Sequence, residues 1–111
     1  MHTLHESTHA LATLADTGIG ALQVIGTGKL NIAGTPVIAE LRTALAQLAG
    51  RRDLRVLVLR GSGDDAFIGG ADFGEMARLN PTTATSFITQ LAGLCDAVAA
   101  MPVPPIARIA G

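Results

Sequence analysis

A continuous apolar strand that leads through paired glycines into a helical pattern constrains the fold of this chain most. Residues 54–59 are rich in leucine and valine, with only Arg55 interrupting them, which is typical of a parallel strand covered on both faces. Gly69 and Gly70 then let the backbone turn and remove the Cβ atoms that would keep a ligand away from it. The pattern therefore predicts an α/β fold with a backbone segment that a ligand can approach.

Two acidic residues follow these glycines at the spacing of a helix start. Asp72 is placed to cap the helix, and Glu75, three positions later, completes the spacing of a capping box. Capping alone accounts for both acids, so we assign neither a catalytic role. The amide of Ala71 would carry no intrahelical bond, and such an amide can stabilise a negative charge developing on a carbonyl oxygen. An ordinary strand-to-helix turn would place this amide in the same way.

The segments before this crossing predict a hairpin and an amphipathic helix. Residues 9–15 and 21–25 flank a loop with two glycines, which favours a β-hairpin. Thr35 followed by Pro36 predicts a helix with a hydroxyl N-cap and a proline in its first turn, and Gly50 predicts its end. The apolar positions of this helix share one face: Val37, Ile38, Leu41, Leu45 and Leu48.

The segments after the crossing predict a second helix and another strand. Asn80 and Pro81 open the helix, and residues 105–110 form the strand, so that strands and helices alternate as in an α/β fold. Cys95 lies within the apolar helical pattern, which predicts a buried, unreactive thiol. The predicted buried face of this helix consists of Phe87, Ile88, Leu91, Leu94 and Val98.

The composition excludes some partners and favours others. Hydrophobic residues make up 49% of the 111 residues and charged residues 15%, against about 25% charged residues in a typical soluble domain, so we expect more chain or partner subunits to cover some surfaces. The net charge of −1 and the absence of Trp and Tyr argue against nucleic acid and anionic membranes. The apolar tract over residues 91–110 contains charges and prolines and predicts no membrane span. One cysteine and no visible secretory signal predict a reducing, cytoplasmic compartment.

The segment His5-Glu6-Ser7-Thr8-His9 has the spacing of a zinc hydrolase motif. On a helix, that spacing would place two imidazoles on one face for zinc and leave the glutamate as a base. Its serine and threonine are weak helix formers, and we expect residues 1–8 to be a loose tail before one domain over residues 9–111. A zinc hydrolase is therefore only a remote alternative, and no metal ligand is assigned.

The order of the motifs resembles the enoyl-CoA hydratase/isomerase (crotonase) superfamily. The most specific part is the run from Phe67-Ile68-Gly69-Gly70-Ala71-Asp72 to Glu75-Met76. Asn31, Glu40-Leu41 and the strand over residues 54–59 precede it in the family's order, and residues 104–111 are similar to the family's Pro-Val-Ile-Ala-Ala-Val-Asn-Gly. The resemblance covers most of the chain after about His9. It implies the N-terminal portion of a crotonase-like ββα-type spiral, a hairpin followed by alternating helices and strands.

The resemblance also implies a site for coenzyme A thioesters. The amide of Ala71 matches one of the two oxyanion-hole donors that hold the thioester enolate in that family. Gly70 and the segment Ala71-Asp72-Phe73 resemble the backbone stretch beside the adenine, and Lys29 and Leu30 match another stretch along the coenzyme A moiety. The implied partner is an acyl-CoA substrate that brings its own coenzyme A, with no separate cofactor. The implied reaction is hydration or isomerisation of an enoyl group, and the implied assembly is a homo-oligomer, a trimer or hexamer.

Departures from the family pattern restrict this implication. Ile68 and Gly69 replace the usual Cys or Ala followed by Ala, and Gly74 replaces a basic residue that would contact a coenzyme A phosphate. In family order the second oxyanion glycine and the acid–base carboxylates lie beyond Gly111. One oxyanion donor is worth about 10²–10³ in rate, so we expect no useful turnover from this chain alone. The alternative is a truncated, non-catalytic remnant that binds acyl-CoA.

Overall fold

A computed structural model of the chain describes residues 1–28, 31–63 and 66–109. Strands β1, β2, β3, β5 and β7 form one sheet in that order, and β4 and β6 form a separate parallel pair. The pairs β1–β2 and β2–β3 are antiparallel, whereas β3–β5 and β5–β7 are parallel. The predicted α/β class is confirmed. The elements in chain order are β1 (His2–Glu6), β2 (Ala10–Leu14), β3 (Ile19–Val24), β4 (Ile32–Ala33), α1 (Thr35–Ala49), β5 (Val56–Gly61), β6 (Gly70–Ala71), α2 (Phe73–Ala77), α3 (Pro81–Ala99) and β7 (Pro105–Arg108).

Helix α1 covers one face of the large sheet and builds the core. The five apolar positions predicted for its inner face are all buried, together with Ala44. They pack against alternate residues of β2 and β3 and against Leu57 of β5, because successive side chains of a strand point to opposite faces. Burying one such leucine contributes about 1.5–3 kcal/mol. This core holds β5 in place, and the glycine crossing follows β5 and leads to α2.

The predicted β-hairpin is confirmed, but the predicted loose tail is wrong. Strands β2 and β3 pair antiparallel across the loop, and His2–Glu6 forms β1 on the outer side of β2 with an irregularity between Thr3 and His5. Without β1, the outer backbone groups of β2 would have no partners in the sheet. Short polar and apolar residues in alternation can form such an outer strand even without a strong apolar pattern.

Helix α3 begins as predicted, at a cap made by Asn80. The Asn80 side chain accepts from the Thr83 amide at 2.9 Å, and the Thr83 hydroxyl accepts from the Asn80 amide at 2.8 Å. Phe87 is buried, and Leu94 and Val98 pack against the core.

The rest of the face predicted to be buried on α3 is exposed. Ile88 is 58% and Leu91 39% exposed, and Cys95 is exposed, so the prediction of a buried thiol is wrong. Helix α3 packs mainly on α1, and one neighbouring helix covers a narrower stripe than the sequence pattern provides. Within the described residues, no helix is both long and apolar enough to cross a membrane.

No helix of the described residues covers the side of the large sheet that faces away from α1. Strand β5 is central and parallel, as predicted, and Leu57 on its inner side is fully buried. Val58 and Arg60 on its outer side are only partly buried, and all of β7 is exposed. The prediction that residues 54–59 are covered on both faces therefore holds for the α1 side alone.

Candidate functional site

A buried asparagine fixes the start of the glycine crossing. Asn31 is 1% exposed and has a positive φ of 50°, a conformation that asparagine tolerates better than most residues. Its Nδ2 donates to the carbonyl oxygens of Ser62 at 2.8 Å and Ala66 at 2.9 Å, and its Oδ1 accepts from the Gly26 amide at 3.3 Å. One side chain thus joins the turn after β3, the end of β5 and the segment that leads to β6.

Two glycines allow this close packing around Asn31. A Cβ atom at Gly61 would lie 2.5 Å from the carbonyl oxygen of Ala66, and one at Gly26 would lie 2.3 Å from the carbonyl carbon of Asn31. Both distances are far inside van der Waals contact. The crossing is therefore held by backbone atoms that a side chain would push apart.

The pairing of β4 with β6 orients the amide of Ala71. Ala33 lies opposite Ala71, and the Asp72 amide donates to the carbonyl oxygen of Ala33 at 3.2 Å. Just before the two strands, outside the regular ladder, the Gly69 amide donates to the carbonyl oxygen of Asn31 at 3.4 Å. Successive amides of a strand point to opposite sides. The Asp72 amide points to β4, so the preceding amide, that of Ala71 within β6, is directed away from β4.

The backbone next to this amide is open. Gly70 has a φ of 134°, in the region that favours glycine. A Cβ atom built there would meet nothing within 4 Å. Glycine at this position therefore suits the backbone conformation, and the space beside it is open.

Asp72 caps α2, as predicted. Its Oδ1 accepts from the Glu75 amide at 3.0 Å, and the helix that follows begins at Phe73 and has five residues. So short a helix has a small dipole, so any stabilisation of an anion here comes from the individual amide of Ala71.

Glu75 does not close the predicted capping box with Asp72. Its Oε2 accepts from the Thr35 amide at 2.9 Å, and its Oε1 accepts from the Thr35 hydroxyl. The Asp72 amide is already bonded to Ala33, which removes the partner that the box requires. The predicted N-cap role of Thr35 is also wrong, because Gly34 is the N-cap of α1 and has no side chain to cap it. The carboxylate of Glu75, which belongs to α2, instead accepts the hydrogen bond from the first amide of α1, that of Thr35.

Two cavities flank the segment that carries Ala71. An apolar cavity of about 300 Å³ is lined by Leu22, Val24, Leu41, Leu59, Phe67, Ile68, Leu91, Leu94, Cys95 and Val98. A polar cavity of about 310 Å³ is lined by His9, Thr27, Gly34, Pro36, Val37, Asp72, Glu75 and Arg78. Ile68, before the paired glycines, therefore lines the apolar cavity, and Asp72, after them, lines the polar cavity.

Four of the six sequence-predicted site residues lie in one continuous segment. Gly70, Ala71, Asp72 and Phe73 are consecutive from β6 into α2. The predicted coenzyme A contacts Lys29 and Leu30 lie outside the described residues, as do the two aspartates at positions 64 and 65, which the sequence places in a turn. Sequence reasoning missed the role of Asn31 because its side-chain partners lie 31 and 35 residues along the chain. The one local signal was an asparagine next to a turn.

The histidine motif is not arranged for zinc. His5 lies in β1 rather than on a helix, and its Nε2 is 2.9 Å from the Ser7 hydroxyl. His9 Nδ1 is 2.8 Å from the carbonyl oxygen of Ile25. Among residues 1–28, 31–63 and 66–109, no three His, Cys, Asp or Glu side chains are grouped closely enough to hold a metal ion.

Sequence comparison identifies the family to which this geometry corresponds. The family model for enoyl-CoA hydratase/isomerase matches residues 15–111, and the chain belongs to this family. The human enoyl-CoA hydratase domain-containing protein 2, mitochondrial, is 33% identical over 86% of this chain and 33% of its own length. The mouse protein of the same name is 37% identical over 73% of this chain and 27% of its own length.

Solved structures show the same fold. An enoyl-CoA hydratase/carnithine racemase from Magnetospirillum magneticum matches with a TM-score of 0.88 and 26% identity over 97% of this chain and 41% of its own. A putative enoyl-CoA hydratase from Streptomyces coelicolor matches with a TM-score of 0.77 and 30% identity over 93% of this chain and 38% of its own. The crotonase-like fold is therefore confirmed. The chain spans about a third of the two mammalian relatives and about two fifths of these two solved chains.

Proposed function

We propose that this chain binds acyl-CoA thioesters and polarises the thioester carbonyl with the amide of Ala71. The observation that carries the proposal is the bond from the Asp72 amide to Ala33, from which strand alternation directs the N–H of Ala71 away from β4, beside the open backbone of Gly70. An amide held in this way can stabilise an enolate oxygen without reorganising when the charge develops. Asp72 holds the amide in place, because its own N–H bonds to Ala33 and its carboxylate caps α2.

The neighbouring cavities support this class of ligand. The apolar cavity at Phe67 and Ile68 has the lining expected for an aliphatic acyl group, and its size lies at the lower end of the range of small-molecule sites, about 300–1,000 Å³. We propose that the coenzyme A moiety lies along the backbone of Asp72 and Phe73 and along Lys29 and Leu30. Hydration or isomerisation of an enoyl group is the reaction that we propose for the whole domain.

One observation favours binding over turnover by these residues. Both carboxylates beside Ala71 are engaged within the fold, since Asp72 caps α2 and Glu75 bonds to Thr35. A general acid or base must be free to reach the reacting atoms. We therefore propose that the acid–base groups of the reaction come from outside these elements, and that the chain by itself binds the thioester without useful turnover.

The exposed apolar side chains favour self-association. Ile88 and Leu91, one turn apart on α3, are 58% and 39% exposed, and Ile106 on β7 is 52% exposed on the opposite face of the sheet; large exposed apolar side chains often mark subunit contacts. We therefore propose a homo-oligomer.

We also propose a cytoplasmic location. Cys95 is a free thiol, and free thiols are typical of reducing compartments.

Calorimetric titration of the purified chain with crotonyl-CoA and with free coenzyme A tests the proposal. Crotonyl-CoA should bind more tightly, because only it presents a thioester carbonyl. Ala71→Pro removes the N–H and should weaken crotonyl-CoA binding about threefold to tenfold, the worth of one hydrogen bond, while leaving coenzyme A binding nearly unchanged. Ala71→Ser keeps the N–H and is the matched control. Equal loss for both ligands, or no loss, would refute the assigned role of the amide.

A further inference from the structure

The uncovered side of the large sheet carries an ordered arrangement of side chains. We call it the open sheet face; it consists of the outward-pointing residues of the sheet opposite α1. The strand register places Ala21 beside Val58 and Val58 beside Ile106, and one step further along the strands it places Gln23, Arg60 and Arg108 side by side. The open sheet face therefore has an apolar row followed by a polar row at the carboxyl ends of three parallel strands.

The two arginines of the polar row are direct neighbours of like charge. Arg60 and Arg108 are paired in the parallel register of β5 and β7, an arrangement of like charges that is unfavourable by itself. The ion pairs seen in the described part of the chain are His2–Asp16 and Arg51–Asp53, so neither arginine is paired there. Arg60 Nη2 donates to Gln23 Oε1 at 2.8 Å, which fixes the orientation of one guanidinium.

A cavity runs along the apolar side of this polar row. It has a volume of about 360 Å³ and is lined by Met1, Leu11, Thr13, Ile19, Ala21 and Val58, with Gln23 and Arg60 toward the carboxyl ends of β3 and β5. Arg108 is the register neighbour of Arg60 and lies just outside this lining. Its volume lies in the range of small-molecule sites, about 300–1,000 Å³. Residues 19 to 23 span about 13 Å at the rise of a β-strand. The cavity therefore has Ile19 toward one end of this span and the cationic Arg60, beside Gln23, toward the other, with mostly apolar side chains between them.

We propose that the open sheet face binds an aliphatic monocarboxylate, with the carboxylate between Arg60 and Arg108 and the aliphatic chain over Ala21 and Val58. Guanidinium groups bind carboxylates through charge-assisted, paired hydrogen bonds, and a carboxylate here removes the repulsion between the two arginines. The carboxyl ends of parallel strands are also where ligands commonly bind in α/β sheets. This site uses the opposite face of the sheet from the cavity at Ile68, so it is independent of the acyl-CoA site.

Calorimetric titration with decanoate and with 1-decanol tests the inference. Decanoate should bind saturably, and 1-decanol, which has the same chain length without the charge, should bind at least about tenfold more weakly, as expected for loss of charge-assisted hydrogen bonds. Arg60→Gln and Arg108→Gln should each weaken decanoate binding by a similar factor. Arg52→Gln, which removes the same charge from an exposed turn before β5, should leave it unchanged. Equal binding of decanoate to all four proteins would overturn the inference.

Methyl NMR of the unmodified chain localises the ligand without depending on the variants. Decanoate should shift the methyl signals of Ala21, Val58 and Ile106 and leave those of Leu45 and Leu57 in the core unchanged. Shifts confined to the cavity of Leu94 and Val98 would contradict the inference, as would signals of the open sheet face that change with protein concentration and not with decanoate. The latter result would identify a second copy of the chain as the occupant.

Discussion

Asn31 shows how one buried polar side chain can organise the backbone of a segment that is distant in sequence. Its amide group satisfies two carbonyl oxygens of the segment between β5 and β6, and its own carbonyl oxygen accepts from Gly69 just before β6. These contacts determine where the chain starts toward Ala71. The sequence indicates an asparagine at a turn, but the identity of its distant partners depends on the fold.

Replacing Asn31 should destabilise the chain, and aspartate should be a worse replacement than alanine. Asn31→Ala should lower the free energy of unfolding by about 2–3 kcal/mol, because it leaves buried carbonyl oxygens without donors. Asn31→Asp should cost more at pH 7, since a carboxylate would face the carbonyl oxygens of Ser62 and Ala66. Urea unfolding gives both values, and Thr43→Ala on the exposed side of α1 serves as control. An Asp variant as stable as the native chain at pH 7 would contradict this assignment.

At the scale of elements, local sequence patterns predicted where the helices lie but did not predict the contacts between elements. The caps of α2 and α3 use neighbouring residues and follow from the sequence. The start of α1 does not, because its acceptor is Glu75, 40 residues further along the chain. Strands β4 and β6 have two residues each and form a separate two-stranded pair, so neither has the length from which a strand can be recognised.

The contact between Glu75 and Thr35 should link α1 to the segment that carries Ala71. Glu75→Ala should lower the free energy of unfolding by about 1–2 kcal/mol, as for the loss of a helix cap, and should speed hydrogen exchange in the first turn of α1. Glu75→Gln retains an acceptor and should cost less. Glu6→Ala, which removes an exposed carboxylate from β1, should do neither. Unchanged exchange at Val37 in the Ala variant would show that the two helices are not coupled.

Glu40 should make the stability of the chain depend on acid pH. The Ser7 hydroxyl and then the His9 amide, which donates to Glu40 Oε1 at 2.8 Å, hold the pKa of this carboxyl below its usual value. A carboxylate whose pKa is lowered by folding stabilises the fold above its unfolded pKa, about 4.3, and loses that effect as the pH falls through its folded pKa. The stability difference between the native chain and Glu40→Gln should therefore be full at pH 6 and decrease below pH ~4.

Urea titrations of the native chain and Glu40→Gln between these pH values measure that difference. Asp96→Asn on the exposed surface of α3 is the matched control and should show no such change. A difference that grows as the pH falls would contradict the assigned role of Glu40.

For the whole molecule, the composition and the order of the motifs predicted different properties: the first predicted uncovered surfaces and the second predicted the fold. The excess of apolar residues predicted uncovered surfaces, and the structure has them on α3 and on the open sheet face. The motif order predicted the crotonase-like fold, which the family match and the solved structures confirm. Which surfaces stay uncovered could not be read from the sequence, because the same apolar pattern describes a side chain buried in the core and one awaiting a partner.

The amide resonance of Ala71 provides the most direct test of the account. In the ¹⁵N-labelled chain, acetoacetyl-CoA should shift this amide proton downfield, as expected for a new hydrogen bond to a thioester oxygen, while free coenzyme A should leave it in place. The Asp72 amide, which already donates to Ala33, is the internal control and should move little with either ligand. If the two ligands shift the Ala71 resonance equally, or if neither shifts it, the thioester carbonyl does not bind at this amide.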